Sequence, residues 1–393
     1  MKKLIGTVAV AALLASAAFA EISFGAWLRT VVVPVAGDGD TALAGWQNSW
    51  GQGVRTGRVN ISWTSDDEKV GMLYDIYGDN FKFAAGDYIA GWWKPADWVK
   101  FMVGKIDNGY TMRSDVTYGS WNWIRPYTWV QNDEGITFEL GGTTGLQIEL
   151  FPVDGLQILA RLPLPVKYTL KEDVAVTSIN PKKDDEFDID EVFKTDAKTY
   201  NDAYKQYGNG TVAVGYTIGD IGTIKAAFLG AYDESGAKKK YGTVNAAFDL
   251  VAVDNMFLTV GVRIPVNEET ADDGTVVLPS LGFSYQITDN FKIALTAAAD
   301  IMKSNDPKIS AGIGIGVGLT DSLSLDADFR YLGDFEAEET ALSFLVGVNY
   351  NLSSNGYIGI GFQGTTNGNG LGFDAAKADA FCWAVPVAFS LWF

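Results

Sequence analysis

The sequence predicts an all-β fold: a membrane-spanning, up-and-down antiparallel β-barrel of about 18 strands, with 16 the nearest alternative. Three observations predict it. The final thirteen residues alternate strictly, with Phe381, Trp383, Val385, Val387, Phe389, Leu391 and Phe393 at odd positions and Cys382, Ala384, Pro386, Ala388 and Ser390 between them. That is the period of a strand whose two faces meet different surroundings. From Thr211 onward, hairpins follow one another with two kinds of turn. One set is short, such as Gly219-Asp220 and Asp254-Asn255, and the other is longer and more charged, such as 267–274 and 333–340. Two unlike rims are expected of an up-and-down barrel. Finally, no run of about 18 apolar residues follows Glu21, although the chain holds 12 Trp, 17 Tyr, 22 Phe and 44 Gly. Alternating strands average out in hydropathy in this way.

The first twenty residues read as a signal peptide. Lys2 and Lys3 precede an apolar, Ala-rich stretch, and Ala18-Phe19-Ala20 has the small-x-small pattern of a cleavage site. Residues 21–393 then form one barrel domain. Residues 21–33 are the first strand, followed by a long connection over 34–52. Strands follow at 58–64, 71–77, 81–90 and 98–105. The Trp-rich stretch 92–97 reads as a connection. It fits an interfacial aromatic girdle, with an aromatic core cluster or carbohydrate stacking as the competing readings. Residues 106–132 lack clean alternation and read as a long outer loop.

Residues 135–151 contain two alternating pieces around Gly141-Gly142. Strand parity favours one long bulged strand, since glycines inside strands commonly mark bulges. After the strand 156–162, the longest connection runs over 171–209. Its acidic run 184–191 lacks the spacing and glycine of a calcium loop, and residues 188–207 have the spacing of a short helix. Ten further strands and the terminal one complete the count. A narrowing of the lumen is expected from either 106–132 or 171–209.

Alternation also assigns faces. In 322–331, Ser322, Ser324, Asp326, Asp328 and Arg330 share one face, opposite Leu323, Leu325, Ala327, Phe329 and Tyr331. Charges of this kind cannot look at lipid, where a mid-depth Arg costs about 2–4 kcal/mol. The same logic turns Arg29, Arg58, Asp75, Lys82, Glu139, Glu149, Arg161, Asp249, Arg263, Lys292 and Asp300 inward as pore-lining candidates. In 309–319, Gly312, Gly314, Gly316 and Gly318 face inward and leave room for water or an infolded loop.

Composition excludes several classes. There is no His, and the single Cys382 has no disulfide partner within the chain. The usual general base and metal ligand are therefore missing, and neither an enzyme, a metal site nor a cofactor is expected. The 48 Asp and Glu outweigh the 30 Lys and Arg. That balance disfavours nucleic acid and suggests a mild cation preference.

The terminal strand, with Phe389, Leu391 and Phe393 at alternating positions, resembles the assembly signal of Gram-negative outer-membrane barrels. Together with the signal peptide and the single barrel-length domain, it makes the chain resemble bacterial outer-membrane porins. The segment Gly91-Trp92-Trp93-Lys94-Pro95-Ala96-Asp97-Trp98-Val99-Lys100 resembles one from spirochaetal porin-like outer-membrane proteins. The resemblance implies a cell outer-membrane location, secretion across the inner membrane, and contact with outer-membrane lipid and the barrel assembly machinery. It implies a homotrimer and a passive diffusion channel for small hydrophilic solutes or ions. The alternative is a surface adhesin or structural protein with a plugged or narrow barrel.

Overall fold

The computed structural model describes residues 21–37, 42–47, 55–79, 82–106, 111–116, 136–164, 207–233, 239–270, 274–366 and 381–393. The strands, in chain order, begin with β1 (Glu21–Gly37), β2 (Ala42–Gln47), β3 (Arg55–Thr64), β4 (Val70–Asp79), β5 (Lys82–Ala96), β6 (Val99–Ile106) and β7 (Ser114–Asp115). There follow β8 (Ile136–Phe138), β9 (Thr143–Leu150), β10 (Leu156–Pro163), β11 (Thr211–Ile218), β12 (Gly222–Asp233), β13 (Lys240–Leu250) and β14 (Met256–Asn267). The last are β15 (Thr275–Thr288), β16 (Phe291–Met302), β17 (Lys308–Gly318), β18 (Leu323–Asp334), β19 (Glu339–Ser353), β20 (Gly356–Thr365) and β21 (Cys382–Trp392).

Eighteen of these close into an antiparallel barrel, the number that the alternation pattern predicts. β2 is an extra strand paired beside the upper part of β1, while β3 pairs with its lower part. β7 and β8 pair only with each other, as a separate two-stranded sheet. Closure matters because a barrel leaves no unpaired edge.

Three expected boundaries move. The expected connection 34–52 holds the end of β1 and all of β2. The stretch 92–97 is not a loop: β5 runs through Trp92, Trp93 and Pro95 to Ala96, and the turn is Asp97-Trp98. Pro95 is tolerated there because the ladder with β6 is already irregular between Trp93 and Ala96. The expected single strand 135–151 is two. Only β9 stands in the wall, between β6 and β10. β8 leaves the wall, since its apolar residues pack on the barrel's inner face instead of meeting the outside. Residues 1–20 and 171–206, which include most of the expected loop helix, lie outside the described residues. Tyr207 and Gly208 are helical.

Strands meet at short turns on one rim. Between β3 and β4, the Ser65 hydroxyl donates to Asp67 (2.7 Å) and receives the Lys69 amide (3.2 Å). The Ser65 hydroxyl, helped by the Lys69 amide, holds the exposed Asp67 carboxyl below its ordinary range. This is the usual chemistry of a tight polar turn.

The barrel closes where β21 meets β1, with Trp27 opposite Trp392 and Val31 opposite Ala388. Ala26 and Phe393 exchange both backbone bonds, at 3.1 and 3.0 Å. The register slips between Val32 and Val35, opposite Val387 and Val385. Pro34 and Pro386, which lack N–H donors, both fall in that slip. On the other side of β21, pairing with β20 skips from Val387 to Ala384. Pro386 is therefore unpaired on both sides, as a ladder gap at this residue predicts. Pro386→Ala should leave the unfolding free energy within about 0.5 kcal/mol of the parent. Val387→Pro, one residue along a paired stretch, should cost about 1–3 kcal/mol by stranding a ladder acceptor. Urea titration of the heat-modifiable folded band measures both. Equal losses from the two variants would refute this account of the seam.

Candidate functional site

The inner face is fixed by register. Lys225 of β12 bonds Asp249 of β13 (2.7 Å), and both lie on the face against which the β7–β8 hairpin packs. Following pairs around the wall carries that face from strand to strand. Lys225 stands beside Ala247, Asn245 beside Arg263, Gly261 beside Ser280, and Gly282 beside Thr296. Gly312 is then flanked by Thr296 and Arg330.

Arg29, Arg58, Asp75, Glu149, Arg161, Asp249, Arg263, Lys292, Asp300, Asp326, Asp328 and Arg330 all fall on this inner face. The register sets Lys82 of β5 opposite Asp79, but its side chain lies outside the described residues. Glu139 is the correction. It stands in the infolded segment after β8, not on a wall strand, and its backbone carbonyl accepts from the Asn245 side chain (3.2 Å). Its carboxylate interacts with Arg263.

These residues gather into separate groups. Arg58 is ion-paired with Asp75, which also accepts from Asn60 (2.6 Å) and from the Tyr88 amide (3.1 Å). Arg58 lies 3.7 Å from Asp87, and its guanidinium is 5.5 Å from the Tyr77 ring centre. Arg29 lies 4.9 Å from the Trp27 ring centre. Four strands round the wall from β1, on β18, Asp326 accepts from Asn349 (2.6 Å), and Arg330 lies 3.6 Å from Asp328. Glu149 accepts from Gln147 and lies 3.9 Å from Lys100. Arg161 donates to Gln147 and to the Gly141 carbonyl. Among the described residues no group of acidic or thiol side chains has the arrangement of a metal site.

Among the described residues, the β7–β8 hairpin is the element that reaches into the lumen. Residues 111–116 and 136–140 lie against β13, β14 and β15. Met112, Phe138 and Leu140 bury themselves against Leu159, Ala213, Ala227 and Ala247. Phe138 and Leu159 are completely buried. Small residues on the wall make this approach feasible. A Cβ on Gly261 would fall 2.3 Å from the Thr137 carbonyl oxygen, and one on Gly282 would fall 2.8 Å from Val116.

A polar latch fixes the hairpin in register. Lys225 donates to the Ser114 hydroxyl (2.8 Å), the Arg113 carbonyl (2.9 Å) and Asp249 (2.7 Å). Ser114 in turn donates to Asp249 (2.9 Å), and Thr137 bonds Thr259. Lys225 and Asp249 are both buried, so each charge depends on the other. Sequence reasoning placed Asp249 on the inner face but passed over Lys225, Ser114 and Thr137. The available signal was Lys225 itself, the one charge within 223–232.

No family model and no curated protein matches the chain. Among solved structures it is similar to the anion-selective porin from Comamonas acidovorans. The two share 10% identity over 95% of this chain and 100% of that one, with a TM-score of 0.55. It is also similar to the outer membrane channel DcaP of Acinetobacter baumannii (9% identity, 95% and 97% covered, TM-score 0.46). A third similar structure is OccD1 (OprD) (10% identity, 95% and 96% covered, TM-score 0.48). The first of these likenesses extends over the whole barrel and shows a shared fold.

Asp249→Ala removes one half of a buried pair and leaves Lys225 uncompensated, a change that costs about 3–5 kcal/mol in buried pairs. The loss should appear first as faster amide hydrogen exchange in 111–116 and 136–138, with the wall strands β16–β20 still protected. Uniform exchange in the variant and the parent would dismiss the latch.

Proposed function

We propose that this chain is an outer-membrane porin, a passive diffusion channel for small hydrophilic solutes or ions. One observation carries the reading: a closed barrel whose inner face holds charges of both signs while its outer face is apolar. Phe24, Val103, Val212, Leu342 and Ile360 are each more than half exposed on the outer face. An apolar belt of that extent is at home in lipid and costly in water. Barrels of 16 to 18 strands enclose an aqueous channel, and the inward Arg, Lys, Asp and Glu are the groups that hydrated solutes meet. Trp93, stacked on Phe101 at 5.7 Å, lies on the outside, and the exposed Trp98 stands in the nearby turn; both fit an interfacial girdle at the short-turn rim.

In this reading residues 1–20 direct export across the inner membrane, the alternating terminus engages the assembly machinery, and the barrel sits in the outer membrane, with a homotrimer implied by resemblance. The likeness of 91–100 to spirochaetal proteins supports a spirochaetal relative. The β7–β8 hairpin is the constriction: β7 comes from 106–132, the first of the two loops from which a narrowing is expected, and β8 from the stretch read as a wall strand. The anion selectivity of the Comamonas acidovorans porin is that protein's own. Here the inner wall carries both signs.

The purified chain in planar bilayers should give stepwise conductance, and a silent, folded barrel would reject the porin reading. Replacing 107–140 by a short turn should raise unitary conductance. An unchanged value would reject the hairpin as the narrowest point. Val346→Arg, in the middle of β19 on the outer face, should cost about 2–4 kcal/mol of insertion free energy, read from the urea midpoint of refolding into vesicles. A barrel indifferent to that charge would not be embedded there.

A further inference from the structure

Beyond diffusion, the lumen carries a candidate recognition site near the short-turn rim. A cavity of about 670 Å³ opens there, lined by Thr64, Asp66, Trp92, Lys94, Lys100 and Glu149 among others. Its volume lies within the range of small-molecule sites, about 300–1,000 Å³. We propose that this cavity is a saccharide subsite, with the Trp92 indole as its stacking platform. The proposal rests on the lumen being a solute path.

The indole is held flat by its surroundings. Trp92 is paired with Gly71 on one side and Met102 on the other, on the inner face, unlike its neighbour Trp93. A Cβ on Gly71 would fall 2.4 Å from the indole, so the ring lies over bare backbone. Behind it stand the buried Tyr88, Ala90 and Met102. The Lys100 ammonium lies over the ring, 5.5 Å from its centre, and 3.9 Å from Glu149, so a ring stacking on that face shares it with the ammonium. Glu149 is kept in place by Gln147 and, at 3.4 Å, by Gln157. Lys94 reaches Asp97 at 3.4 Å on the rim.

The combination selects for a particular chemistry. An indole in an aqueous lumen leaves apolar area in water, at about 25 cal/mol per Å², unless something covers it. A pyranose has an apolar C–H face for the ring and hydroxyls around its edge. The ammonium groups donate to those hydroxyls, and the carboxylates and Thr64 accept from them. Two ammoniums face three carboxylates, Asp66, Glu68 and Glu149. A singly charged ion therefore meets attraction and repulsion together, whereas a neutral polyhydroxylated ring gains from both. An acyclic polyol has the hydroxyls without a flat apolar face.

The test is saturation-transfer NMR on the full chain refolded in detergent, with maltose as probe, sorbitol as the acyclic control and glycine as the zwitterionic one. Transfer should reach the ring C–H protons of maltose and exceed that to sorbitol. Trp92→Ala should weaken maltose binding about tenfold, the equivalent of one stacked ring, while Trp92→Phe keeps it within about threefold. Heat-modifiable mobility reports whether each variant is folded. Lys100→Met, at a partly exposed position, should weaken binding as well if Trp92→Ala does not fold. No transfer, equal transfer to sorbitol, a preference for glycine, or unchanged binding in both Trp92→Ala and Lys100→Met would overturn the subsite. Conductance separates the two readings. A conducting barrel without maltose transfer loses only the subsite, and a silent barrel that binds maltose loses only the porin reading.

Discussion

Everything in this structure depends on closing one backbone ladder. A sheet of this size has edges unless its first and last strands meet, and unpaired edges in lipid leave each N–H and C=O without a partner. The seam between β1 and β21 supplies that closure, and it carries one register slip of its own. Pro34 and Pro386 each remove a donor. Facing one another across a single register slip, they produce one gap instead of two. The ladder resumes below the slip and ends on the reciprocal pair between Ala26 and Phe393.

Closure then determines how the infolded hairpin can be held. β7 and β8 are too short to satisfy their own backbone, so the inner wall does it with side chains. Lys225 takes the Arg113 carbonyl, Asn245 the Glu139 carbonyl, and Arg161 the Gly141 carbonyl. The apolar side of the hairpin needs depth, which Ala213, Ala227, Ala247, Gly261 and Gly282 provide by being small. The same arc thus offers donors for the hairpin's carbonyls and space for its apolar residues.

This explains which parts of the fold were legible in the sequence. The strands from Thr211 to Gln363 were readable because their outward and inward neighbours differ in polarity and short turns alternate with longer, charged ones. The segment around β8 was not. Ile136, Phe138 and Leu140 alternate with the period of a wall strand, and alternation does not say whether the apolar side meets lipid or another part of the protein. The clue lay on the opposite surface. Inward positions of β11 to β15 are repeatedly Ala or Gly, which is the mark of something standing against them. That logic had been applied to Gly312, Gly314, Gly316 and Gly318 of β17 but not to this arc. For the candidate site, faces could be read from alternation, whereas partners could not, because Lys225 and Ser114 are 111 residues apart. The Trp cluster at 92–98 divided for a similar reason: adjacent positions on β5 place Trp93 outside and Trp92 inside.

Pairing also changes how the chain's acidity bears on permeation. Its formal charge is −18, yet many inner-face charges are engaged within the wall. Asp249 is committed to Lys225 and the hairpin, and Asp75 to Arg58 and Asn60. A charge held by a neighbour of opposite sign presents a solute with a dipole whose field falls off faster than that of a single ion. The six acidic residues in 184–191 contribute to that net charge and lie outside the described residues. Net composition is therefore a poor guide to selectivity in this fold. In the proposed channel a permeating solute meets the wall's local donors and acceptors, and the described inner face carries both signs.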